Sequence, residues 1–148
     1  IFICLTLAMS PLKRLTNLNV WIKFRRMMGL FVFFYATIHL LTYVAIDYRF
    51  DWMPIFDDVL KKKYIFIGFS AWLLLIPLAA TSSKKMTKLL KHNWKKLHKL
   101  IYLIAIFGAL HYIWLSKSIF FKPLIFMLII LVLLMLRIKI KKKETNYG

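Results

Sequence analysis

The stretch MMGLFVFFYATIHLLTYVAI, residues 27–46, decides the fold, because it carries no Asp, Glu, Lys or Arg over its whole length. About 20 consecutive apolar residues in a helix cross the hydrocarbon core of a bilayer. Only helices and closed barrels satisfy every backbone group in lipid, and a run this continuously apolar is typical of a helix. The stretch therefore predicts a transmembrane helix that contains one histidine, His39.

Further apolar runs extend this prediction to an all-α integral membrane protein, a transmembrane helical bundle. The sequence is 61% apolar, more than an ordinary soluble domain. Residues 1–10 read as the end of a helix, so we expect an N-terminally incomplete chain. The predicted single domain (1–148) comprises a partial helix at about 1–10, spans at about 27–46, 64–83, 97–116 and 119–136, and a basic cytoplasmic tail at 137–148.

The net charge of +18 would suggest nucleic acid as the partner of a soluble protein. Here the basic residues flank apolar runs, which indicates contact with anionic membrane lipid, and we expect no nucleic acid. Segments 10–26, 84–99 and 137–148 hold most of the 23 lysines and arginines. The positive-inside rule places them in the cytoplasm. Three lysines at 61–63 oppose this orientation, although most of the acidic residues share their loop.

Two histidines lie inside apolar runs, His39 and His111, whereas His92 lies among lysines in a predicted loop and is expected to be solvated. The offset from Arg26 to His39 equals the offset from His98 to His111. At the rise of an α-helix, both deep histidines lie about 20 Å from the cytoplasmic edge. Two imidazoles facing each other at one level make a six-coordinate haem site, whereas zinc normally takes four ligands. Hydrogen-bonded core histidines are the alternative.

The roles of His98, Arg25 and Arg26 stay open at this stage. On an ideal helix His98 does not share a face with His111. It could bind a second haem with another neighbour or with a different sixth ligand, contact haem propionates, or lie at the interface without a function. Arg25 and Arg26 could pair with haem propionates or a flavin phosphate, and anchoring the topology is their alternative role.

Several short strings carry a resemblance to a known family, and they occur in order along nearly the whole chain. The strings are TLAMSPLKR (6–14), RRMMGLF (25–31), FYATIHLLTY (34–43), WKKLHKLIY (94–102) and LHYIW (110–114). With them the chain resembles the haem-binding subunits of bacterial periplasmic methionine-sulfoxide reductase systems, which belong to the ferric-reductase-like transmembrane group.

The resemblance implies a six-helix bundle whose first helix precedes this chain, in the bacterial inner (cytoplasmic) membrane. It implies one or two b-type haems, with His39, His98 and His111 at the positions of the family's haem-binding histidines. It also implies FMN as a further cofactor and a quinone or a cytosolic flavin reductase as electron donor. The implied acceptor is a periplasmic molybdopterin reductase that repairs oxidised methionine.

The predicted function is therefore that of an electron-transfer subunit, distinct from the catalytic subunit of its oxidoreductase system. A stand-alone transmembrane ferric or quinone reductase would share the haem site and reduce its substrate directly. A non-redox membrane scaffold would need the histidines for packing alone. These two alternatives remain open from the sequence.

Overall fold

The chain folds into helices joined by short turns. The computed structural model describes residues 1–116 and 121–145, with side chains through residue 137. No strand occurs in these ranges, and the predicted all-α fold class is confirmed. The start of the predicted 119–136 span and the end of the predicted tail lie outside the described residues. The α-helices are α1 (Phe2–Thr16), α2 (Val20–Thr42), α3 (Trp52–Lys61), α4 (Lys63–Ala80), α5 (Lys84–Leu97), α6 (Leu100–Leu115) and α7 (Phe121–Thr145), and a π-helical turn (Tyr43–Asp47) continues α2.

The long helices form a closed ring in which each makes its main contacts with two neighbours. The order around the ring is α1, α2, α4, α6 and α7, and α7 returns to α1. Ala105 and Ala109 of α6 are fully buried against Leu7 of α1 and Ile130 of α7. Because lipid provides no hydrophobic drive between helices, small residues that allow close approach are the usual means of association. A second cluster, which includes Leu75, joins α4 to α6.

The outer surface of the ring is apolar. The α-helix α2 buries no residue within the chain and leaves side chains such as Phe34 and Leu41 exposed. Within the described ranges, Val20–Asp47 and Lys63–Ala80 are each long and apolar enough to cross a membrane. The helices α5 and α6 pass that test only together, and they are bent by 49° relative to each other. Outward apolar faces of this kind are those of a membrane protein.

Helical structure extends beyond the segments that the sequence indicates. Helix α1 continues through Pro11 to Thr16, and α2 already begins at Val20. Helices α3 and α5 form in segments that the sequence predicts to be loops. At the start of α5 the Ser83 hydroxyl accepts a hydrogen bond from the Met86 backbone N–H at 3.1 Å. This N-cap satisfies one of the free donors of the first turn and so fixes where the helix begins.

Candidate functional site

The two histidines that lie within apolar runs come close together in the structure, where His39 is exposed and His111 is half-buried. His39 is on the last turns of α2, and His111 is on the last turns of α6. Their ring centres are 6.2 Å apart, and their planes are inclined by 76°. This proximity agrees with the common level that the helical rise indicates. The structure thus brings together the two residues that sequence reasoning paired.

Helix α4 fixes the orientation of the His111 ring. The His111 Nδ1 lies 2.7 Å from the Tyr64 carbonyl oxygen. Because a carbonyl oxygen can only accept, Nδ1 carries the proton and Nε2 keeps its lone pair. One turn further along α4, Gly68 lies against the same ring, where a Cβ atom would stand 2.6 Å from Nδ1. The absence of a side chain at Gly68 is therefore what makes room for His111.

His39 and His111 would hold a haem iron through one imidazole nitrogen each. If each of these nitrogens were bonded at about 2 Å to a metal ion between the rings, the ring centres would be roughly 6 Å apart. The separation of His39 and His111 is of that size. A hydrogen bond from the other ring nitrogen to a backbone carbonyl is the usual support of a metal-binding histidine. Among the described residues, no group of three or more His, Cys, Asp or Glu side chains lies together.

A cluster of polar side chains joins the π-helical turn that follows α2 to the last turns of α3. The Asp58 carboxylate accepts hydrogen bonds from Lys62 at 2.6 Å, from Tyr43 at 3.5 Å and from Tyr48. The hydrogen bonds from Lys62 and Tyr48 lower the pKa of Asp58. The same ion pair raises the pKa of Lys62. These contacts tie the π-helical turn after His39 to the start of α4.

The third predicted haem-binding histidine, His98, lines a separate cavity of about 600 Å³ at the lysine-rich end of the bundle. Its ring stacks on Trp94 with 3.9 Å between ring centres. Its Nδ1 lies 3.1 Å from the Trp94 carbonyl oxygen, and the backbone of Leu78 is a second neighbour. We call this space the inner cavity. The bend between α5 and α6 places His98 at its wall.

The two arginines singled out from the sequence, Arg25 and Arg26, line the same inner cavity. Arg25 is half-buried and donates a hydrogen bond to the Ser10 hydroxyl at 3.3 Å. Arg26 is exposed, as is His92, which does not line the cavity. The structure therefore groups His98 with the arginines and keeps them apart from the pair formed by His39 and His111.

Sequence reasoning missed Arg137, which it assigned to the basic tail. Arg137 lines the inner cavity and donates to the carbonyl oxygens of Leu7 and Thr6, each at 3.1 Å. Pro11 has no N–H to donate to the Leu7 carbonyl four residues earlier in α1. A carbonyl freed in this way needs another donor inside a membrane protein. The proline in α1 was the signal that could have indicated a buried partner.

The sequence of the chain was compared with those of known families. The family described as ferric reductase like transmembrane component matches residues 1–109. The chain belongs to this family. The match includes His39 and His98 and ends just before His111. The resemblance inferred from the sequence is thereby confirmed. No solved structure matches the chain.

Curated relatives agree with this assignment. A protein of Xanthomonas oryzae pv. oryzae (strain MAFF 311018) is 49% identical over 129 residues, which are 87% of this chain and 59% of the relative. A protein of Herminiimonas arsenicoxydans is 48% identical over 132 residues, which are 87% of this chain and 61% of the relative. Both carry the name protein-methionine-sulfoxide reductase heme-binding subunit MsrQ. The chain spans about three-fifths of the length of these relatives.

Proposed function

We propose that this chain is a membrane electron-transfer subunit that holds b-type haem between His39 and His111. The observation that carries the proposal is the separation of 6.2 Å between these two imidazoles, with His111 oriented by a backbone carbonyl. The relatives named as heme-binding subunits of a methionine-sulfoxide reductase support it. When bound, haem iron supplies one-electron redox chemistry.

The chain's own residues bind and orient in this proposal. The Tyr64 carbonyl holds the His111 ring in the tautomer whose Nε2 is free to ligate, and Gly68 lets the ring lie close to α4. The inner cavity offers His98 for a second haem, and Arg25 and Arg26 for haem propionates or for the phosphate of FMN. Arginine suits both groups because its planar fork can donate two parallel hydrogen bonds.

The proposed route runs from the lysine-rich end of the bundle to the end that carries α3. With the lysine-rich end in the cytoplasm of a bacterial inner membrane, a quinone or a cytosolic flavin reductase donates electrons near the inner cavity. The acceptor is a periplasmic molybdopterin reductase that repairs oxidised methionine in proteins. The name of the relatives supports this acceptor class.

The test is the haem content of full-chain protein purified in detergent. His39→Ala and His111→Ala should each abolish the six-coordinate signal in a reduced-minus-oxidised spectrum and lower the pyridine haemochrome count. His92→Ala is the matched control, because His92 is exposed on α5 and should leave both readings unchanged. Two alanine variants with the wild-type spectrum would refute the assignment, and a colourless wild-type protein would favour a scaffold without a redox role.

A further inference from the structure

The inner cavity carries positive charge that no described residue neutralises. Arg25, Arg26, Lys95, Lys99 and Arg137 all line it. No carboxylate is found among the described residues of its wall. The chain has only five acidic residues, and four of them lie near α3 at the far end of the bundle. Cations held together at the edge of a membrane are costly unless an anion pairs with them.

Arg137 is held rigidly in this cavity. Its Nε–H donates to Leu7, and one guanidinium nitrogen donates to Thr6, both at 3.1 Å. The other nitrogen donates to the Tyr102 hydroxyl at 3.4 Å, and the guanidinium carbon lies 5.6 Å from the centre of the Tyr102 ring. A guanidinium has five N–H donors, so three described bonds leave two without a described acceptor. Because the first three fix the plane, the remaining two have a set direction.

Arg25 and Arg137 line the same cavity, so two guanidinium groups of like charge face one space. Arg25 belongs to α2 and Arg137 to α7, and α1 lies between these helices in the ring. Two cations from different helices thus share one cavity, and no described residue of its wall is a carboxylate. An anion that contacts both cations would stabilise this packing. The geometry thus fits a ligand with an acidic group at this point.

We propose that Arg137, together with Arg25, binds the oxyanion group of a ligand in the inner cavity. The ligand's body would lie on the apolar part of the wall, near Leu75 and Ile101. A volume of about 600 Å³ suits one molecule of cofactor size. The oxyanion is a haem propionate, a flavin phosphate or a phospholipid phosphate. The inference rests on the proposed function only where the ligand is a second haem.

The experiment measures which ligand the purified full chain retains. Wild type, Arg137→Gln, Arg137→Lys and the control Lys88→Gln are washed in detergent. Each is then assayed for haem per chain, for extracted FMN by fluorescence and for bound phospholipid by mass spectrometry. Lys88 is exposed on α5 and does not line the cavity, so its replacement removes one charge from the same end of the bundle. The three assays separate the three sources of the oxyanion.

We expect Arg137→Gln to lower retention of one ligand about tenfold or more, as is typical when a charge-assisted hydrogen bond is lost. Arg137→Lys should retain the ligand in dilute buffer and release it at lower salt than wild type does, because a point charge replaces the fork. Lys88→Gln should match wild type. If Arg137→Gln fails to accumulate, the salt dependence of Arg137→Lys is the deciding measurement.

Three results would overturn the inference. The first is wild-type retention of all three ligands in Arg137→Gln, or equal salt dependence of wild type and Arg137→Lys. The second is an equal loss of thermal stability in Arg137→Gln and Arg137→Lys, with ligand lost only in proportion to the unfolded fraction. That result would mean that Arg137 serves only to hold α7 against α1. The third is a wild-type protein without FMN, lipid or a second haem. Loss of the six-coordinate haem in His39→Ala alongside any of these would leave the proposed function standing.

Discussion

Replacing Gly68 with alanine tests whether the close approach of α4 is what positions His111. The added Cβ would stand 2.6 Å from Nδ1 and 2.8 Å from Cε1 of the imidazole, whereas ordinary contact begins at 3.4 Å. The ring must therefore retreat by about 0.8 Å, or α4 must shift by as much. A retreat of this size would lengthen the hydrogen bond of 2.7 Å to the Tyr64 carbonyl to nearly 3.5 Å and so remove it.

The expected result is weaker haem binding in a protein that still folds. Loss of a supporting hydrogen bond to a metal-binding histidine typically costs about 10- to 100-fold in affinity. Overpacking adds a destabilisation of about 1–3 kcal/mol. The assay is haem content after detergent washing, with the reduced-minus-oxidised spectrum as the reading of coordination. Gly108→Ala is the matched control, because Gly108 lies on the same helix as His111 and a Cβ added there would meet nothing within 4 Å.

Wild-type haem content and spectrum in Gly68→Ala would refute the reasoning. That outcome would mean either that the ring tolerates the displacement or that His111 does not ligate. His111→Ala distinguishes the two, because it removes the ligand and leaves α4 unchanged. Equal losses in Gly68→Ala and Gly108→Ala would instead point to a general cost of alanine in the bundle.

Two further predictions concern stability. The Thr37 hydroxyl on α2 accepts a hydrogen bond from the Trp72 indole on α4 at 3.0 Å. Thr37→Val removes this acceptor and should lower the free energy of unfolding by about 0.6–1.7 kcal/mol, as measured by titration in mixed micelles. An unchanged midpoint of unfolding would show that the hydrogen bond contributes nothing. The pKa of Asp58 is lowered in the folded protein because Lys62 donates a hydrogen bond to its carboxylate. The ionised Asp58 therefore stabilises the fold fully above the pKa of an unfolded aspartate, about 4, and this contribution is lost as the pH falls through the lowered pKa. The thermal midpoint of Asp58→Asn should fall less than that of wild type below about pH 4, and parallel curves would contradict this.

Part of the site could be predicted from the sequence and part could not. The pairing of His39 with His111 followed from equal offsets along two helices, because the rise per residue of a helix is fixed. The sequence did not predict that Arg137 lines the same cavity as Arg25, because Arg137 is the first residue of a basic tail and nothing in the sequence distinguishes it from the lysines that follow. Its partner carbonyls belong to α1, more than a hundred residues away along the chain.

The sequence by itself determined that this protein is a helical membrane bundle with two histidines at one depth. Lipid leaves the backbone few options, and depth is proportional to residue number along a helix. Only the tertiary structure decided which faces meet: the close contact of Gly68 with His111, the bend that sets His98 against Trp94, and the turn of Arg137 into the bundle. Rotation about a helix axis is set by the side chains of neighbouring helices, and no single segment contains that information.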